Sequence, residues 1–381
     1  MSKTLKIVIW LIVIVIVIAI GASLSRKGGD TGTGPIKIGI IAPLTGDGAV
    51  YGEPARNVYQ LAVEEINAAG GVSGRMIELI IEDGKCNGKD GASAMQKLVN
   101  VDKVQVVIGG ICSSETLAAI PVGEPQKVVL FSPAASSPDL TGKSAYFFRN
   151  YPSDASQGKV LSELAWNEKK SKTVVFIQEQ HDNPLAIYKA FSATFEALGG
   201  TVTKEEFPSA TTDFRSTITK IKGQNPDAVF VDTQAPAAAD RILKQMKELK
   251  WSKPILVNDA TAGDPKTISD NQAILEGALT AEFGIDPANP KFQALLAAYK
   301  TKYGADLPYQ SYGQTEYDAI YMIKDAIMTV GLNGEKIATW SRTVKDWDGA
   351  SGMITIGADG DRVSGHVAKV IKNGKVELYS Q

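Results

Sequence analysis

Two strand ends rich in hydroxyls hold the chemistry open to this chain. Gly109-Gly110-Ile111-Cys112-Ser113-Ser114 follows the apolar run Val104 to Ile108, and Ser132-Pro133-Ala134-Ala135-Ser136-Ser137 follows Val128 to Phe131. A strand that opens into a serine-led helix start leaves backbone N–H donors and the positive end of a helix dipole at one point, which suits a carboxylate or another anionic group. Two such ends in neighbouring units predict a small-ligand site. Bond-breaking groups are missing beside them: the sequence has no phosphate-binding loop, no G-x-S-x-G nucleophile elbow and no clustered histidines. Gly109-Gly110 is too short for a dinucleotide fingerprint, and no base lies near Ser113 or Ser136 in sequence. The expectation is a binding protein and not an enzyme, with no catalytic residue and no cofactor.

The 381 residues carry 40 Lys and Arg against 42 Asp and Glu, a net charge of -2 without a basic stripe. Nucleic acid is therefore not an expected partner, and the length predicts two or three domains. Near the N-terminus, Lys3 and Lys6 precede an apolar run from Ile7 to Ala22, with Arg26 and Lys27 beyond it. This pattern reads as an export signal or a membrane anchor. Gly21-Ala22-Ser23 suits cleavage, whereas extension of the run to Leu24 approaches a membrane span. Residues 1–35 are thus read as signal peptide or anchor plus the flexible Gly28 to Gly34 linker, placing the body outside the cytoplasm.

Cys86 and Cys112 are the only cysteines. In an oxidising compartment an even pair is most simply a disulfide, with two free buried thiols as the competing reading. Two cysteines with only His181 and His366, both distant in sequence, do not make a zinc site, so no metal is expected.

From residue 36 onward, apolar strand-like runs alternate with helical patterns, the mark of βαβ units around parallel sheets. One series ends at Val128 to Phe131, and the alternation restarts after Phe147-Phe148-Arg149-Asn150. Helices near Pro290 to Tyr303, Thr315 to Val330 and Glu335 to Thr343 lack strands of their own and should cover the first sheet. Met353 to Ile356, Gly365 to Ile371 and Val376 to Tyr379 read as a small β segment at the edge of the second. Crossings near residues 150, 281 and 350 would make a three-stranded hinge, and a hinge implies a cleft.

In order and spacing, several stretches resemble the leucine/isoleucine/valine-binding receptors of ABC importers, a group of periplasmic binding proteins. They are Ile36 to Gly39 with Pro43-Leu44-Thr45-Gly46, Tyr51-Gly52, Ile66 to Val72, Glu82-Asp83 with Cys86, and Val107-Ile108-Gly109. Cys112-Ser113-Ser114, Ser132 to Ser136, Thr212-Asp213-Phe214 and Tyr317-Asp318-Ala319 continue the series, so that the resemblance covers nearly all of residues 36 to 380. It implies a type I periplasmic-binding-protein fold, α/β, with two doubly wound Rossmann-like lobes. Lobe 1 would hold residues 36–150 and 282–349, and lobe 2 residues 151–281 and 350–381.

The family pairs its two early cysteines, which favours a Cys86 to Cys112 bridge. Its contacts to a ligand carboxylate and amino group fall on Ser113, Ala134, Ala135 and Ser136. Tyr51 matches an aromatic at the cleft rim, Tyr312 lies where an apolar ring is common, and Asp259 matches an acid that holds the ligand's ammonium. Two ligand-facing tyrosines are absent, their places taken by Asn183 and by Gln234 or Ala235. That departure points away from a branched aliphatic ligand and toward a more polar or larger one. The implied role is capture of an amino acid or related small molecule by hinge closure, for an ABC permease, by a monomer in the periplasm or at the cell surface. The alternative is a membrane-anchored receptor that senses ligand with the same fold.

Overall fold

The computed structural model describes residue 32 and residues 34–380, so the expected signal or anchor lies outside the described residues. Strands β1 (Ile36–Ala42), β2 (Ile77–Asp83), β3 (Val106–Gly109), β4 (Val129–Ser132) and β5 (Phe147–Arg149) form a parallel sheet in the order β2-β1-β3-β4-β5. β1 is buried except at Lys37, as a strand covered on both faces must be. Alternation sends Ile38 and Ile40 into one core, with Tyr59 and Ile66 of the helix Ala49–Ala68 and Ile320 and Ile323 of the helix Gln310–Val330. Ile41 points the other way, to Met95 and Leu98 of the helix Gly88–Asn100. At the end of β3, Gly109 has φ +125°, and a Cβ there would lie 2.1 Å from the Ile41 carbonyl oxygen. Only glycine lets β1 and β3 run this close at the point where the site begins.

The second sheet holds β6 (Thr173–Glu179), β7 (Thr201–Phe207), β8 (Ala228–Asp232), β9 (Ile255–Val257) and β10 (Leu279–Phe283). A short hairpin, β11 (Trp347–Gly349) and β12 (Gly352–Ile354), follows, and then β13 (His366–Lys372) and β14 (Lys375–Leu378). The order is β14-β13-β10-β9-β8-β6-β7, with β13 antiparallel to both β10 and β14. The chain therefore leaves the first sheet after β5, returns to it after β10, and goes back with β13.

Met353 to Ile356 does not join the C-terminal strands, as the sequence suggested. β12 pairs with β11, and Ile354 and Ile356 enter the core of the first sheet. Alternation of apolar residues fixes which face of a short strand is buried but not which neighbour it pairs with. The connections are bound together by buried arginines. Arg149 donates from Nε and Nη2 to the two carboxylate oxygens of Asp361 at 2.7 and 2.6 Å, and from Nη1 to the Ala135 and Ser137 carbonyls at 3.2 and 2.9 Å. Arg362 reaches the Asn150 carbonyl at 3.1 Å and Ser351 Oγ at 2.7 Å. Among the described residues, no helix is long and apolar enough to cross a membrane.

Candidate functional site

The first face of the site is built by the ends of β3 and β4. The helix Ser113–Gly123 begins directly after β3 with Cys112 as its cap, and Glu115 turns back beneath it. The Glu115 carboxylate accepts the N–H groups of Cys112 at 3.1 Å and Cys86 at 2.8 Å, bracing both halves of the Cys86–Cys112 disulfide, whose Cα atoms are 5.2 Å apart. Burial pushes the Glu115 carboxyl up to about 7. Ser113 Oγ accepts the Ser137 N–H at 3.2 Å, and Ser132 Oγ accepts the Ala135 N–H at 3.0 Å while donating to the Gly110 carbonyl at 2.8 Å. The two strand ends are thus stitched to each other. N–H groups expected to point at a ligand are spent inside the protein instead, that of Ser137 on this stitching and that of Ala135 within its own turn. Ala134 and Ala135 are buried in the cores on either side of the sheet.

The opposing face comes from the C-terminal ends of second-sheet strands. Asn258 follows β9 and caps the short helix Asp259–Ala262, accepting the Thr261 N–H at 3.1 Å. The neighbouring Asn258 thus takes the capping role and leaves the Asp259 carboxylate otherwise engaged. Asp259 Oδ2 accepts the hydroxyls of Tyr312 at 2.8 Å and Tyr151 at 3.0 Å, and Oδ1 accepts the Ala260 N–H at 3.0 Å. Asn183, in the first turn of the helix Asp182–Ala197, donates to Ser136 Oγ at 3.0 Å and to Asp154 Oδ2 at 2.5 Å. The Tyr51 hydroxyl donates to the Gln234 carbonyl at 3.0 Å, and Gln234 Nε2 lies 3.8 Å from Cys112 Sγ. Tyr51 also packs edge-on against Tyr309 and Tyr312, with ring centroids 4.8 and 6.1 Å apart.

Of the nine residues singled out from the sequence, Tyr51 with Gln234, Ser136 with Asn183 and Tyr312 with Asp259 meet in pairs across a seam between the two sheets, while Ser113, Ala134 and Ala135 stand at the ends of β3 and β4 beside Ser136. Contacts of Asn183 with Ser136, and of Gln234 with Tyr51, join the two sides directly. Where the resemblance placed aromatic walls, the chain has hydrogen-bonding amides.

The sequence reading missed the acids behind this seam. Asp154, Asp232 and Glu179 are buried, and so is His366. Burial, reinforced by the Asp259 carboxylate, pushes Asp154 up to about 8; burial also holds Asp232 well above the usual carboxylate range. Burial lowers His366 to about 4. A signal for two of them was present: Glu179 and Asp232 each end a strand with an apolar middle, and the C-terminal ends of parallel strands are where α/β sheets present ligand groups. His366 reaches the site only through the third connection between the sheets, and no local pattern marks it.

Two α/β lobes, linked by three chain crossings and meeting at a buried polar seam, define a bilobed binding protein of type I fold. The chain belongs to the periplasmic binding protein family, whose model matches residues 35–371. It is similar to a Leu/Ile/Val-binding protein of Rhizobium johnstonii, with 28% identity over 333 residues, 86% of this chain and 89% of that one. Among solved structures it resembles a leucine-binding protein of Thermotoga maritima, with TM-score 0.83, 28% identity and coverage of 91% of this chain and 98% of the other. It also resembles a branched-chain amino acid transporter substrate-binding protein of Streptococcus pneumoniae in complex with isoleucine. There the TM-score is 0.81, the identity 30%, and the coverage 90% of this chain and 98% of the other.

Proposed function

We propose that this protein is the extracytoplasmic substrate-binding component of an ABC importer, capturing an amino acid between its lobes and presenting the closed form to a permease. The observation that carries the reading is that Ser113 and Ser136 stand at strand ends of one lobe, while Asn183, which bonds Ser136, and Asp259, which bonds Tyr312 of the first lobe, stand on the other. The first pair offers hydroxyls to a carboxylate, and Asp259 offers a carboxylate to an ammonium. A ligand favours closure only by its difference in affinity for the closed and open states, so a site divided between lobes is what hinge capture needs. Membership of the family and the names of its relatives support the importer role. In this reading lobe 1 takes residues 36–150 and 282–349, with the β11–β12 hairpin and Ile356 packed onto it, and β13 and β14 belong to lobe 2.

Calorimetric titration of the purified protein with the standard amino acids tests the proposal. At least one should bind, and Ser113→Ala combined with Asp259→Ala should abolish that binding. Wild-type affinity in the double variant would show that the seam is not the binding site.

A further inference from the structure

The edge of the second sheet that faces the seam carries a row of acceptors with nothing to accept. Asp154 Oδ1, Asp232 Oδ2, Gln178 Oε1 and His366 Nε2 are all buried and without a hydrogen-bond partner. Gln178 and Asp232 are register partners on β6 and β8, so their side chains leave the same face of the sheet. That face is covered by the helix Asp154–Asn167 and the helix Asp182–Ala197, through Leu161 and Phe191.

Ser156 Oγ donates to the Ser153 carbonyl at 2.9 Å, accepts the His366 backbone N–H at 3.1 Å and lies 2.6 Å from His366 Nδ1. His366 Nε2 faces Asp154 Oδ1 at 3.7 Å, and a carboxylate oxygen of Asp259 completes a trio within 4.8 Å of one another. Around the trio, Asn183 donates to Asp154 Oδ2, and two tyrosine hydroxyls and the Ala260 N–H donate to the Asp259 carboxylate.

Among the described residues, no lysine or arginine pairs with Asp154, Asp232 or Asp259. The nearby Arg149 is bonded to Asp361, Thr141 and two carbonyls, and Lys369 is paired with Glu282. A zwitterion with an apolar side chain would bring one ammonium to three buried aspartates and leave Asp232 and Gln178 unfilled.

We propose that the ligand is an amino acid whose side chain ends in a second basic group. Its α-ammonium lies among Asp259, Asp154 and His366, and the side-chain ammonium or guanidinium lies along Asp232 and Gln178. The proposal rests on the reading of the cleft as an amino-acid site. It also accounts for Asn183 and Gln234 standing where an aliphatic ligand would want aromatic walls.

Lysine and norleucine share a four-carbon side chain and differ by the terminal amine, so calorimetric titration of the purified protein with each, with arginine, and with zinc chloride decides the matter. Lysine or arginine should bind at least ten-fold more tightly than norleucine. Asp232→Asn, with Gln178→Leu as a second variant should the first not fold, should reduce that preference at least ten-fold. Norleucine or leucine binding as tightly as lysine overturns the inference and leaves the amino-acid reading standing. An unchanged preference in a folded variant overturns the placement, and zinc binding without lysine binding makes the trio a metal site instead. If no amino acid binds, both readings fall together.

Discussion

Arg149 and Asp361 face each other edge to edge, two guanidinium nitrogens on two carboxylate oxygens, and join the first connection between the lobes to the third. The same guanidinium holds the Ala135 and Ser137 carbonyls, so the hinge and the hydroxyl-bearing shelf share one anchor. Both side chains are almost wholly buried, and removing one partner strands the other's charge. Arg149→Ala should therefore lower stability by about 3–5 kcal/mol in urea denaturation. Arg149→Met with Asp361→Leu, which removes both charges, should recover most of that loss. Equal stability of Arg149→Ala and the wild type would show that the pair is mechanically idle.

The Cys86–Cys112 bridge closes a loop of 26 residues in sequence separation. By chain entropy it should contribute roughly 3–4 kcal/mol, seen as a lower melting temperature after reduction. Calorimetric melting with and without a reductant checks this, and an unchanged midpoint would place the stabilisation elsewhere.

Raised carboxyls give the stability a definite pH dependence. Asp154 and Glu316 are pushed up to about 8 and Glu115 to about 7, chiefly by burial, while in the unfolded chain they ionise near the ordinary carboxyl values. Between those limits the folded protein holds more protons than the unfolded one. Their contribution is fully present in acid and is lost as pH rises from about 4 toward 8. The ligand-free protein should accordingly melt lower at pH 8 than at pH 5, and Asp154→Asn should flatten the curve. A melting temperature that rises over this interval would contradict these assignments.

Asp259 accepts two tyrosine hydroxyls, and each helps hold its carboxylate toward the seam. Tyr312→Phe removes one donor to a charged group and should weaken ligand binding by roughly ten-fold, about 1.5 kcal/mol. Ser113→Ala should reduce affinity by a comparable factor. Calorimetry on the two single variants and on the pair would show whether the lobes act together, since groups that grip one ligand couple.

Much of this arrangement could be read in the sequence because it is local. The apolar runs of β1, β3 and β4 and the serine-led turns after β3 and β4 are continuous stretches, and their chemistry survives without knowledge of neighbours. Asp259 too lies beside a recognisable strand, although its partners Tyr151 and Tyr312 could not be read there. What escaped is non-local: the pairing of β12 with β11, the bracing of both cysteines by Glu115, and the meeting of Asp154 with His366. Each depends on where a distant segment returns. Some N–H groups expected to await a ligand are instead spent inside the protein, since a buried donor takes the nearest acceptor.

Both cysteines of the chain are consumed by their bridge. A thiol introduced at a chosen position would therefore be chemically unique under non-reducing conditions. Val50 and Lys266 line opposite sides of one groove of about 740 Å³ between the lobes. A pair of dyes there would report any change in the separation of the two sides as a change in energy transfer, giving the hinge-closure proposal an optical test.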